Sequence, residues 1–122
     1  MSAAQIVVLV VEDEPLVRMG IADYLADAGF KVLEASNADE AVAMLAVNLD
    51  ITIMFTDIDM PGGMDGLKLA AAVRDRWPPI KIVVTSGHHV VRVDQLPVQA
   101  RFIPKPYNPD KIIVAFREMM AA

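Results

Sequence analysis

The chain has 122 residues, 55% of them apolar, with eleven basic against sixteen acidic side chains and a net charge of −5. That length suits one domain with a core of its own, and an acidic balance without a basic stripe argues against binding a nucleic-acid backbone. The absence of cysteine removes disulfides, thiolate metal sites and thiol nucleophiles and fits a cytosolic protein, while no signal peptide and no apolar run long enough to span a bilayer can be found.

Ile6–Val11 is a continuous apolar, β-branched run, as expected of a strand buried on both faces. It runs directly into Glu12, Asp13 and Glu14. Pro15 suits the first turn of a helix, in which Val17, Ile21, Tyr24, Leu25 and Ala28 share a face and Gly29 is the stop. Lys31–Ala35 reads as a short strand. Asn37 and Glu40 form a capping box for a helix through Ala41, Val42 and Leu45. Ile51–Thr56 is a second buried strand. The segment "DIDMPGGMDG", residues 57 to 66, is a loop by its proline and glycines, with Asp65 and Gly66 read as turn and cap.

Leu67–Trp77 is helical by pattern and ends at Pro78-Pro79. Ile80–Thr85 is a further buried strand. Residues 87–97 predict a short or mobile helix, because their β-branched residues are poor helix formers. Arg101–Pro104 is a brief strand. Asn108 caps a last helix with Pro109 at its first position and Ile112, Ile113, Phe116 and Met120 on its apolar face. The chain stops soon after this pattern, so residues 1–122 are expected to form a single domain with no output domain attached. Strand and helix alternate five times, which predicts a flavodoxin-like, doubly wound five-stranded parallel sheet of order 2-1-3-4-5 with helices on both faces.

In such sheets ligands bind beyond the carboxyl ends of the strands. The first strand delivers Glu12 and Asp13 there. The third delivers Asp57 and Asp59, the fourth Thr85 and Ser86, and the fifth Lys105 followed by Pro106. Two carboxylates about 4.5 Å apart repel by a few kcal/mol at an effective dielectric of about 20. Such a cluster calls for a cation, and an all-oxygen donor set suits Mg2+ (or Mn2+) accompanied by a phosphate. Asp57 then fits a nucleophile forming an aspartyl phosphate, with Lys105 and Ser86 serving the phosphoryl oxygens.

The stretches "VVEDEP", "FTDIDMPGGMDG", "VVTSG" and "FIPKPY" together resemble a two-component response-regulator receiver domain over essentially the whole chain, of the single-domain or hybrid-kinase type. The resemblance implies that Asp57 accepts a phosphoryl group from a histidine kinase or phosphotransfer protein and that slow hydrolysis follows, in a cytoplasmic signalling switch rather than a turnover enzyme. It implies Mg2+ held by Asp13 and Asp57, by Glu12 through water and by the main-chain carbonyl of Asp59. It makes Ser86 the switch hydroxyl, Phe102 the aromatic that moves with it, and Lys105–Pro106 a cis bond. Asp59 and His88 stand where the family's side chains modulate the access of water to the phosphoryl group. The partner downstream, the kinase and dimerisation are left open; no membrane or direct nucleic-acid contact is expected.

The loop carries one glycine more than the common "MPGMDG", and Phe102 lacks the phenol often found there. Blander readings accompany each residue. Acids favour helix N-termini, aspartate favours turns, most lysines are solvated, His88-His89 reads better as a loop pair than as a zinc site, and Phe102 fits a plain core residue. "FTDIDMP" also fits a haloacid-dehalogenase-type phosphatase with Asp57 as nucleophile and Asp59 as general acid. That motif, however, normally lies on the first strand of a larger, capped fold. A pseudo-receiver that is never phosphorylated normally loses one of the acids or the lysine. A flavodoxin needs a phosphate-binding loop where this chain has "EDEPL".

Overall fold

The computed structural model describes residues 5–60, 65–87, 96 and 100–121. Among them are strands β1 (Val7–Val11), β2 (Lys31–Ala35), β3 (Ile53–Asp57), β4 (Lys81–Ser86) and β5 (Ala100–Pro104), and helices α1 (Pro15–Asp27), α2 (Ala38–Val47), α3 (Gly66–Arg76) and α4 (Pro109–Ala121). The five strands form one parallel sheet in the order β2-β1-β3-β4-β5, which is the predicted architecture. The helix expected within 87–97 falls almost wholly outside the described residues, as does the glycine pair Gly62-Gly63.

Continuous apolar runs fill the interior strands. Every residue of β1 and β3 is buried, whereas the edge strands β2 and β5 are half open, as burial on both faces requires of an apolar run without alternation. Alternate side chains of each strand point to opposite faces. Val8, Val10, Ile53, Phe55 and Val83 pack with Leu25 of α1 and with Ile112, Phe116 and Met119 of α4. Leu9, Val11, Met54, Ile82 and Val84 pack with Ala38, Ala41 and Leu45 of α2 and with Leu69, Ala70 and Val73 of α3. Phe116 anchors the first layer, edge-on to both Phe30 and Phe55.

Local signals set the helix ends. Asn37 Oδ1 accepts the Glu40 N–H at 2.8 Å, and Glu40 returns the contact to the Ser36 N–H. Asn108 accepts the Asp110 N–H at the head of α4. Gly29 ends α1 with φ of 101°, a conformation that costs a Cβ-bearing residue energy.

Two predicted faces are corrected. In α1 the buried residues are Ala22 and Leu25, while Val17 and Tyr24 are exposed. Val17 lies on the first turn of α1, just beyond the carboxyl end of β1, and Tyr24 turns outward to donate its hydroxyl to Asp110 of α4. In α4 the buried row runs Ile112, Phe116, Met119, and Met120 is exposed; a 3.6-residue period needs a step of three after a step of four. Among the described residues no helix is long and apolar enough to cross a membrane.

Candidate functional site

The strand alternation that builds the two layers also assembles the polar site. Glu12 follows Val8 and Val10 in parity, Asp57 follows Ile53 and Phe55, and Lys105 follows Ile103. The register pairs Asp57 with Thr85 and Thr85 with Ile103. Glu12, Asp57 and Lys105 therefore leave their strands on the α1/α4 side of the sheet, at one carboxyl edge. Asp13 lies on the loop that turns into α1. One carboxylate oxygen from each of Glu12, Asp13 and Asp57 lies within 4.8 Å of the others.

Glu12 and Asp57 are each held by a backbone N–H. Glu12 is 5% exposed, and its Oε2 accepts the Glu14 N–H at 2.9 Å, which serves one of the unpaired amides at the head of α1. That helix has no other side-chain cap. Arg18 donates to the Glu12 main-chain carbonyl at 2.9 Å and pairs with Glu34 at 3.2 Å, tying the α1 side of the loop to β2. Asp57 is 4% exposed. Its Oδ1 accepts the Asp59 N–H at 2.9 Å and its Oδ2 accepts from Lys105 Nζ at 2.8 Å. The same ammonium lies 3.7 Å from Glu12 Oε1, and the Lys105–Pro106 peptide is cis.

Of the two adjacent hydroxyls of β4, Ser86 Oγ donates to Asp59 Oδ2 at 2.8 Å, whereas Thr85 Oγ1 is buried without a hydrogen-bond partner among the described residues. Phe102 is half-buried on β5, where it pairs in register with Val84 and packs against the α2/α3 layer. The structure thus brings Glu12, Asp13, Asp57, Asp59, Ser86 and Lys105 together and places Phe102 one layer away. His88 lies outside the described residues.

Charge in the cluster is unbalanced. Burial, reinforced by the neighbouring Asp13 and Asp57 and only partly opposed by the Glu14 N–H, pushes Glu12 from 4.5 up to about 7. For Lys105, burial pulls its pKa down, but the hydrogen bond and charge of Asp57 and the charge of Glu12 outweigh it and raise it. Because the folded-state pKa of Glu12 is raised, the folded protein holds a proton there that the unfolded chain gives up. That contribution to stability is complete below about pH 4.5 and is lost as pH rises through about 7. In a chelator, the wild type is expected to lose up to about 3 kcal/mol over that window relative to Glu12→Gln. Urea midpoints read at several pH values check this, and parallel profiles for the two chains would contradict it.

The acids suit a hard divalent cation. Three oxygen donors converge against one ammonium, and each pair of ionised carboxylates at this spacing repels by about 3.5 kcal/mol or more at an effective dielectric of about 20. Carboxylate oxygens without nitrogen or sulfur donors suit hard cations such as Mg2+, Mn2+ or Ca2+.

Sequence reasoning missed Gly66, which it assigned only to a cap. A Cβ on Gly66 would lie 2.3 Å from the Asp57 carbonyl oxygen and 2.8 Å from Ile58 Cα. The Gly66 N–H also donates to the Ile58 carbonyl at 3.2 Å, so the head of α3 sits directly on the backbone that carries Asp57. The pair Asp65-Gly66 looks like any cap, with Asp65 indeed accepting the Lys68 N–H, and nothing in it signals close approach to the end of β3, nine residues earlier.

Comparison with known proteins gives a consistent result. A family model described as a response regulator receiver domain matches residues 8–117. The hydrogenase transcriptional regulatory protein HoxA of Cupriavidus necator is 35% identical over 127 aligned positions, covering all of this chain and 26% of that protein. Among solved structures, a response regulator receiver protein from Sinorhizobium medicae superposes with a TM-score of 0.89 at 27% identity, over 99% of this chain and 98% of that one. The response regulator TrrA of Thermotoga maritima, solved in complex with Mg2+–BeF, gives 0.82 at 26% identity, over 94% and 99%. The chain spans about a quarter, or less, of the length of the curated relatives it matches.

Proposed function

The chain belongs to the family of response regulator receiver domains of two-component signalling, and from that premise we propose that it is a phosphorylation-controlled switch whose acceptor is Asp57. The observation that carries this reading is the Asp57 carboxylate, buried beside two further acids and 2.8 Å from the Lys105 ammonium. The donor is the phosphohistidine of a histidine kinase or phosphotransfer protein. An Asp57 oxygen attacks phosphorus, the P–O bond forms as the P–N bond of the phosphoimidazole breaks, and the electron pair leaves with the imidazole nitrogen.

Both Asp57 oxygens already accept one hydrogen bond, and each retains a lone pair for this step. Lys105 follows the growing charge onto a phosphoryl oxygen, and the Ser86 hydroxyl donates to another. Asp13 and Asp57, with the Asp59 main-chain carbonyl and with Glu12 through water, would hold Mg2+ or Mn2+. Bound there, the cation offsets the charge of the acids and of the incoming phosphoryl oxygens. The added charge then biases a two-state arrangement of Ser86, Phe102 and the last helix, and signalling follows from unequal affinity of a cytoplasmic protein partner for the two states.

The phosphatase alternative needs the Asp59 carboxyl to deliver a proton to a leaving group, and in this structure that carboxylate instead accepts a hydrogen bond from the Ser86 hydroxyl. For the switch reading, Asp13→Asn, which keeps an oxygen donor but loses its negative charge, is expected to weaken Mg2+ binding about tenfold or more and to leave the fold intact. Titration calorimetry checks this; equal affinity in the two chains would remove Asp13 from the site.

A further inference from the structure

The contact between Ser86 and Asp59 has a consequence for switching. Ser86 Oγ donates to Asp59 Oδ2 at 2.8 Å, and the serine is 1% exposed. Its backbone is held as well, since the Ser86 carbonyl accepts the Lys105 N–H at 2.9 Å and the residue pairs in register with Pro104. Asp59 is fixed from the other side, its N–H donating to Asp57 Oδ1 at 2.9 Å. A serine hydroxyl has one proton to donate. While that proton serves Asp59, it cannot serve an oxygen of a phosphoryl group on Asp57, and with the backbone pinned the change is a rotation of the serine side chain. The acceptor to be abandoned is a carboxylate, the stronger kind.

We infer that Asp59 is a positioning residue that holds the Ser86 hydroxyl away from the acceptor in the unphosphorylated chain and so sets the threshold for switching. The inference rests on the reading of Asp57 as acceptor and Ser86 as donor to the phosphoryl group. Its sign is definite: weakening the Asp59 acceptor makes the phosphorylated arrangement easier to reach. Removing a negative charge near an incoming anion would act in the same direction, so the two effects must be separated by deleting the serine hydroxyl.

The test uses the 122-residue chain with Mg2+ and beryllofluoride as phosphoryl mimic, its affinity read by fluorine NMR or calorimetry for wild type, Asp59→Ala, Asp59→Asn, Ser86→Ala and the two double variants. Asp59→Ala is expected to bind about tenfold more tightly than wild type, the scale of a hydrogen bond to a charged group. Asp59→Asn, which keeps a neutral acceptor, falls between them. In the Ser86→Ala background the gain from Asp59→Ala shrinks to less than about threefold, the part due to charge alone. Equal gains with and without the serine hydroxyl, or no gain in either, overturn the inference while leaving Asp57 as acceptor. A wild-type chain that binds no beryllofluoride overturns both.

Discussion

Asp57→Asn is expected to slow phosphoryl uptake by at least about a thousandfold while the chain stays folded. The amide oxygen is a poor nucleophile, yet the side chain keeps its shape and can still accept one of the two hydrogen bonds now made by Asp59 N–H and Lys105 Nζ. The lost contact is offset in part by relief of repulsion, since Asp57 is one of the groups that push Glu12 upward. The Glu12 midpoint in this variant therefore falls below about 7, and the difference in stability between low and neutral pH shrinks. A time course of intact mass with a small phosphodonor, beside circular dichroism, reads both quantities. A folded variant modified as fast as wild type would place the acceptor elsewhere.

Gly66→Ala is expected to be the most damaging single-methyl change. The added carbon meets backbone at 2.3 and 2.8 Å, and no side-chain rotation relieves that. Either the head of α3 or the end of β3 must shift, at a cost of about 3 kcal/mol, or roughly 10 °C in Tm. If β3 yields, Asp57 is displaced, and a misplacement of about 1 Å lowers the rate of phosphoryl uptake about a hundredfold. Gly20→Ala is the control. Nothing lies within 4 Å of its added carbon, and in the middle of α1 alanine should gain up to about 1 kcal/mol. Thermal melts of the two variants check the contrast; equal Tm values would mean that α3 and β3 are not in the close contact described.

The parts of this fold that could be read from sequence are those where one physical constraint dominates. β1, β3 and β4 are buried on both faces, so their residues are apolar without alternation and announce interior parallel strands. From that order the convergence of Glu12, Asp57 and Lys105 follows, because strand parity fixes which side of the sheet each leaves. Val17 and Tyr24 share the predicted face yet are exposed, because helical periodicity records which residues share a face and not which of them a neighbouring element covers. Gly66 and the Ser86–Asp59 bond were illegible for another reason. Both depend on tertiary contacts, reaching back nine residues from Gly66 to Asp57 and 27 from Ser86 to Asp59, and a glycine or a serine carries no mark of what it will touch.

The most direct test of the account is intact-protein mass after incubation of the wild-type chain with acetyl phosphate, with Mg2+ and with chelator. The account predicts one added phosphoryl group that appears only with the divalent cation and maps to Asp57. An unmodified chain under both conditions, or many turnovers of released phosphate with no accumulated adduct, would contradict it.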